Sequence, residues 1–179
     1  LGQRSVSNKG YYEAVTWSFT DQKIDNLTND SANSIFIINP ISNELNVLRR
    51  SIFSNLLFYL KKNHDRGFQD IALFEIGPVF YGKKPGEQQT VIGAVKSGQI
   101  NKKSWSEKTR NVDIFDMKTD VIKTLIEMGI NEDFLIVSDK SKDCYHPGRS
   151  GSINFKTTSG ILLAQFGEIH PSIISKLDY

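Results

Sequence analysis

The chain has 179 residues, of which 39% are hydrophobic and 11% aromatic, a composition sufficient for one hydrophobic core. Its formal net charge of +2 gives no global reason to expect a nucleic acid or a membrane as partner. Cys144, the only cysteine, excludes an internal disulfide and disfavours a cysteine-based zinc site. We therefore expect one domain, residues 1–179, in a reducing, cytoplasmic compartment, with no metal site and no membrane span.

The first part of the chain predicts two strands and a long helix. Aromatic and β-branched residues predict strands at 11–20 and 34–40. Leucines, an isoleucine and a tyrosine at helical spacing predict a helix that begins at Leu45 and stops before Gly67. The pair Arg49-Arg50 falls early in this helix, where it either faces a phosphate or an acidic partner or lies on a solvated helical face.

Two antiparallel strands are predicted next, at 70–82 and 90–98, across the turn "KKPGE". Gly77-Pro78 in the middle of the first strand requires a bulge or an edge position. Glu75 stands alone among apolar residues, so we expect it to be paired or to lie on the exposed face.

The last part of the chain mixes helix and hairpin signals. Asp116 is predicted to cap a second helix, which ends at Gly129. A strand at 133–138 precedes a hairpin that turns at residues 157–160, and a short helix begins near Pro171. About seven strands and three or four helices, with hairpins and without strict βαβ alternation, favour an α+β fold built on an antiparallel sheet.

Two short stretches carry residues suited to chemistry. "HPGRS" contains His146 and Arg149, and "EIHP" contains Glu168 and His170. In one interpretation both are loops at one end of the hairpin, where Arg149 binds an anion and His146 or Glu168 moves a proton. In the other, Arg149 pairs with Glu168 across the hairpin and the histidines and prolines only shape turns. The residues alone leave both open, and no common nucleotide, hydrolase or zinc motif is present.

The segment 83–110 holds seven lysines and arginines against two acidic residues. Lys102, Lys103 and Lys108 would contact an RNA backbone by charge in one interpretation. In the other interpretation the segment is an ordinary solvated loop region.

Five motifs occur in an order that closely resembles the β subunit of bacterial phenylalanyl-tRNA synthetase. They are "GYYEAVTWSF", "NPISNELNVLRRS", "NHDRGFQDIALFEIGPVF", "IFDMKTDV" and "HPGRSGSI" followed by "GEIHP". The resemblance covers essentially the whole chain. It implies the catalytic-like module of that subunit, with a class II aminoacyl-tRNA synthetase fold in which an antiparallel sheet is flanked by helices. It also implies that editing and DNA-binding-like domains precede residue 1 and that an anticodon-binding domain follows residue 179.

The resemblance further implies a subunit without chemistry of its own. In the family, two α and two β chains assemble, and the α chain activates phenylalanine with ATP and magnesium before transfer to tRNA. Class II catalysis needs arginine forks on the phosphates of ATP. The strand pair at 70–98 and the segment 166–179 contain no arginine. We therefore expect no catalytic residue and no cofactor in this chain, and retention for shape and subunit contact.

The resemblance places the contact with the α chains in residues 2–20. Tyr11, Tyr12, Trp17 and Phe19 are the candidate anchors, and plain core packing is the alternative for each. Two other functions stay open: a vestigial pocket near His146, Arg149, Glu168 and His170 that still binds a nucleotide or an amino acid, and the RNA contact through the lysines.

Overall fold

The computed structural model combines α-helices with antiparallel hairpins and describes residues 1–100, 105, 108–158 and 160–178. The chain folds as two compact units, and each is treated by itself below. Tyr11–Gln99 form the central unit, and Leu1–Gly10 with residues 100–178 form the terminal unit.

The helices and strands of the described residues are numbered in chain order. The α-helices are α1 (Gly2–Ser7), α2 (Gln22–Asp25), α3 (Ile52–His64), α4 (Ile114–Glu127) and α5 (Pro171–Leu177). The strands are β1 (Tyr12–Glu13), β2 (Phe19–Thr20), β3 (Ile35–Phe36), β4 (Val47–Leu48), β5 (Ile71–Phe80), β6 (Gln88–Ser97), β7 (Leu135–Ser138), β8 (Tyr145–Phe155) and β9 (Ile161–Ile169). Single 3₁₀ turns lie at Ser31–Asn33 and Glu132–Phe134.

The central unit contains two three-stranded sheets. In the first, β5 lies between β1, which runs parallel to it, and β6, which runs antiparallel to it. In the second, β4 lies between β2 and β3 and is antiparallel to both. Helix α3 packs on β5 and β6, and Val47, Leu56 and Phe74 are fully buried in this core. The helix packs there because its apolar stripe must leave water.

The predicted helix from Leu45 begins later than its spacing indicates. Val47 and Leu48 form the central strand of the second sheet. The spacing of Leu45 and Leu48 is typical of a helix but occurs here outside one. Helix α3 begins only after Ser51, whose hydroxyl accepts a hydrogen bond from the Phe53 amide at 3.1 Å. Gly67 follows the end of the helix with φ +92°, the left-handed conformation predicted for a stop.

The predicted strand at 11–20 is wrong as a single element. Its two ends pair in different sheets, Tyr12 with Leu73 and Phe19 with Leu48. The residues between these strands belong to neither sheet. Their backbone is held by hydrogen bonds between Ala14 and Phe74 and between Arg49 and Ser18, and by the Asn55 side chain, which donates to the Trp17 carbonyl.

The predicted pair at 70–82 and 90–98 is confirmed as the hairpin of β5 and β6. The register runs one to one through Gly77 and Pro78, opposite Val91 and Thr90, so there is no bulge at this point. Strand β1 pairs only with Leu73 and Phe74. Beyond them, no other strand among the described residues pairs with β5 on that side, so Gly77 and Pro78 lie at a sheet edge, which was one of the two predicted alternatives.

The terminal unit is built on an antiparallel sheet in the order β7-β8-β9, on which α4 packs. The N-terminal cap of α4 is Asp113, and the prediction that Asp116 caps this helix is wrong. The Asp113 carboxylate accepts from the amides of Phe115 and Asp116, and the Asp116 carboxylate accepts from the Asp113 amide, which completes a capping box. The Arg110 guanidinium, by its hydrogen bond, lowers the pKa of Asp116 to about 2.

Helix α1 is tied to α4 by polar contacts. Ser5 and Lys9 both donate to the Glu127 carboxylate, Lys9 at 2.9 Å. The Ser5 hydroxyl, and then the Lys9 ammonium, lower the pKa of Glu127 from its ordinary value.

The predicted terminal hairpin is confirmed as β8 and β9, and α5 begins at Pro171 as predicted. One detail differs, because "HPGRS" does not form a loop. It lies in the first half of β8, where the pairing with β9 shifts register between Tyr145 and Ser150. The irregularity gives this half of the strand a bulge.

Candidate functional site

The four candidate pocket residues lie at the adjoining ends of β8 and β9. Arg149 and Glu168 are brought together, with 3.0 Å between Nη1 and Oε2. Their side chains are 55% and 39% exposed, so water screens this ion pair. The Arg149 charge is thus offset by its neighbour, as expected from the structural interpretation.

The two histidines of this group bind local backbone. His146 Nδ1 accepts a hydrogen bond from the Gly148 amide at 3.1 Å. His170 caps α5, where its Nδ1 accepts from the Ser172 amide at 3.1 Å and contacts the Ser172 hydroxyl at 2.7 Å. Accepting at Nδ1 places the proton of each neutral imidazole on Nε2. Both rings therefore shape turns at the ends of their elements.

The two residues that directly precede His146, Cys144 and Tyr145, carry groups whose ionisation is suppressed. Burial raises the pKa of the Cys144 thiol and, more strongly, the pKa of Tyr145. Both groups stay protonated near neutral pH, and neither is activated as a nucleophile or base.

The four candidate interface aromatics differ in their exposure to solvent. Tyr11 is buried, and the Lys96 ammonium lies 5.0 Å from its ring centroid, so it is part of the core of the central unit. Tyr12 and Trp17 are 77% and 65% exposed. Phe19 is half-buried.

The candidate RNA-contacting lysines are only partly described. Lys108 is exposed. Lys102 and Lys103 lie outside the described residues. In the part of the chain that the structure covers, no three His, Cys, Asp or Glu side chains are grouped so that they could hold a metal ion. Among those same residues, no helix has the length and apolarity that crossing a membrane requires.

A buried ion pair in the central unit confirms one of the two alternatives for Glu75, that it is paired, and gives it a partner, Arg49, that the sequence did not predict. Arg49 and Glu75 are 1% and 3% exposed, and Arg49 Nη1 donates to Glu75 Oε1 at 2.5 Å. The Thr16 hydroxyl accepts from Arg49 Nη1 at 2.9 Å and donates to Glu75 Oε2 at 2.8 Å. Asn55 adds a bond to the same hydroxyl at 3.0 Å, and Arg49 Nε donates to the Pro78 carbonyl at 2.9 Å. Every strong polar group here has a partner, as low-dielectric burial demands.

The prediction that Arg49-Arg50 lies in the helix is wrong for both residues, because α3 begins only at Ile52, and the alternative of a solvated face is wrong as well. Arg49 lies at the end of β4 and points into this network. Arg50 is directed to Asp25, which is fully buried, through a bond of 2.6 Å from Nε. One signal in the sequence pointed to the first pair, Glu75 among apolar residues. The structure adds that Arg49 leaves no room for a side chain at Gly77, where a Cβ would lie 2.4 Å from Arg49 Nη2.

Comparison with known proteins gives the family. Residues 3–179 match the profile of the phenylalanyl-tRNA synthetase β chain CLM domain. The chain belongs to this family. The CLM chain is 37% identical over 176 residues to the phenylalanine–tRNA ligase β subunit of Paramagnetospirillum magneticum and 38% identical over 176 residues to that of Rhodospirillum rubrum. Both matches include 98% of this chain. The chain spans only about a fifth, 22%, of each relative's length.

Two solved structures of a pyrrolysyl-tRNA synthetase from Desulfitobacterium hafniense share the fold of the CLM chain. Their TM-scores are 0.69 and 0.67, and they cover 98% and 99% of this chain with 57% and 60% of their own. At 17% sequence identity this similarity shows the fold alone. The predicted fold class, an α+β synthetase-like arrangement of antiparallel strands and helices, is confirmed.

Proposed function

We propose that the CLM chain is a structural, noncatalytic module of the β subunit of a phenylalanine–tRNA ligase. The observation that carries the proposal is membership of the β chain family over residues 3–179. In this proposal the module supports an α subunit, which uses ATP and magnesium to attach phenylalanine to its tRNA. The complete enzyme would contain two α and two β chains and act in the cytoplasm.

The state of the arginines supports the assignment of catalysis to the α subunit. An ATP-binding class II site needs guanidinium forks that are free to hold phosphates. Arg49 is enclosed by Glu75 and the Pro78 carbonyl, and Arg149 is paired with Glu168. The hairpin of β5 and β6 carries no arginine. Each of these arginines already has a structural partner.

The exposure of the aromatic side chains supports a contact with the α subunit at one segment of the central unit. Residues 12–18, named here the docking segment, present Tyr12, Val15 and Trp17 to solvent, and Val15 is 90% exposed. Large exposed aromatic and apolar side chains in a short stretch are typical of protein interfaces. Buried Tyr11 is not part of this proposed contact.

The catalytic part of the proposal is tested by phenylalanine-dependent exchange of pyrophosphate into ATP. We expect no exchange from the β subunit alone and full exchange when the α subunit is added. Arg149→Ala in the complex is expected to leave kcat and KM for ATP unchanged. Exchange by the β subunit alone, or a loss of about tenfold or more in kcat/KM for Arg149→Ala, would contradict the assignment.

A further inference from the structure

The docking segment is held firmly although most of it has no regular secondary structure. The Ala14 amide donates to the Phe74 carbonyl at 2.7 Å, and the Ser18 carbonyl accepts from the Arg49 amide at 3.0 Å. Asn55 Nδ2 donates to the Trp17 carbonyl at 3.2 Å. These bonds fix the backbone on both sides of Thr16.

The side chains of the segment face in opposite directions. The Thr16 hydroxyl reaches the buried Arg49–Glu75 pair, where it makes three hydrogen bonds in all. Its neighbours Val15 and Trp17 are 90% and 65% exposed. One threonine therefore anchors the stretch from inside, and the apolar side chains on either side of it are left in water.

Core packing does not explain this arrangement. A buried ion pair adds little stability beyond that of an apolar replacement, but it fixes geometry, because its partners need defined positions. The exposed Val15 and Trp17 gain nothing from being held in water. They gain only when a partner covers them, since a segment that is already ordered loses less conformational entropy on binding.

We infer that Thr16, supported by Arg49 and Glu75, is a positioning residue that presets the docking segment for the α subunit. The inference rests on the proposed function and adds a mechanism of preorganisation to it. No group moves on binding. The buried network restricts the conformations of the docking segment before the α subunit binds. Thr16 itself is half-buried, and its hydroxyl faces the ion pair rather than the partner.

The test uses Thr16→Val and Thr16→Ser in the full β subunit. Valine removes the hydroxyl at nearly constant shape, and serine keeps it. We expect Thr16→Val to speed hydrogen exchange in peptides of the docking segment, to leave exchange in the β8–β9 hairpin unchanged, and to weaken α binding about threefold to tenfold. Thr16→Ser is expected to restore both the exchange and the affinity. Asn55→Ala, which removes the bonds to the Trp17 carbonyl and to the Thr16 hydroxyl and leaves the ion pair, is expected to behave like Thr16→Val.

Trp17→Ala serves as the reference variant, because it removes a proposed contact directly. If Trp17→Ala weakens α binding and Thr16→Val does not, the positioning role is overturned and the proposed interface stands. If Thr16→Val and Thr16→Ser weaken binding equally, the hydroxyl is not the anchor and the inference fails. If Trp17→Ala binds like the unaltered subunit, the interface itself is wrong, and the inference falls with it.

Discussion

Removing the charge of Glu75 tests whether the ion pair in the central unit is truly desolvated. The side chains of Arg49 and Glu75 are 2% and 4% exposed, so Glu75→Gln leaves a guanidinium charge in the core without its counter-charge. Breaking one partner of a buried pair costs about 3–5 kcal/mol. Because glutamine still offers one acceptor oxygen, we expect the lower end, about 3 kcal/mol.

The assay is urea denaturation followed by circular dichroism, with Glu168→Gln as the matched control. With a slope of about 1–3 kcal/mol per molar urea, Glu75→Gln lowers the midpoint by about 1–3 M. Glu168→Gln breaks a pair whose side chains are 55% and 39% exposed, and should cost less than about 1 kcal/mol. The reasoning is refuted if the two variants shift the midpoint by the same amount.

Further expectations concern packing, charge and capping. A Cβ on Gly77 would lie 2.4 Å from Arg49 Nη2, so Gly77→Ala should lower the unfolding free energy by about 1–3 kcal/mol in urea denaturation. The control is Gly148→Ala, where the nearest atoms to a Cβ lie at 3.9 Å and the change should stay within about 0.5 kcal/mol. Equal losses in the two variants would contradict this. The folded pKa of Asp116, about 2, lies below its ordinary value of 3.8, so its contribution to stability is present above pH 3.8 and is lost as the pH falls toward 2. Asp116→Asn should remove this part of the pH dependence of the unfolding free energy. An unchanged pH profile would argue against the lowered pKa. Ser51→Ala should cost about 1 kcal/mol and lower the melting temperature by about 2–4 °C, and an unchanged melting temperature would show that the cap is dispensable.

The parts of the fold that the sequence predicted correctly are set by neighbouring residues. Gly67 and Gly129 end helices in the left-handed conformation, and Pro171 starts α5. The hairpin of β8 and β9 turns where small and polar residues cluster. Such signals act over a few residues, so they can be identified without knowledge of the rest of the chain.

The parts that were missed depend on distant partners. Leu45 and Leu48 have helical spacing, but residues 47–48 are needed as a strand between β2 and β3. Arg49 leaves the solvent only because Glu75, 26 positions away, offers it a counter-charge. Periodicity carries no information on a pairing of that range.

The candidate site shows the same division. The pairing of Arg149 with Glu168 was foreseen as one of two interpretations, because a hairpin brings the two residues together. The sequence could not show which of Tyr11 and Tyr12 is buried. Adjacent residues of an extended segment face opposite ways, and the face that is buried depends on the parallel pairing of β1 with β5. The assignment of an interface therefore needed the exposure of each ring.

The most direct test of the proposed role is to measure, by sedimentation, the affinity between the full β subunit and the α subunit. Trp17→Ala is compared with Tyr81→Ala, because the two side chains are 65% and 67% exposed in the same unit and only Trp17 belongs to the docking segment. We expect Trp17→Ala to weaken the complex by about tenfold or more and Tyr81→Ala to leave it unchanged. A Trp17→Ala subunit that assembles with unaltered affinity would contradict the proposed interface.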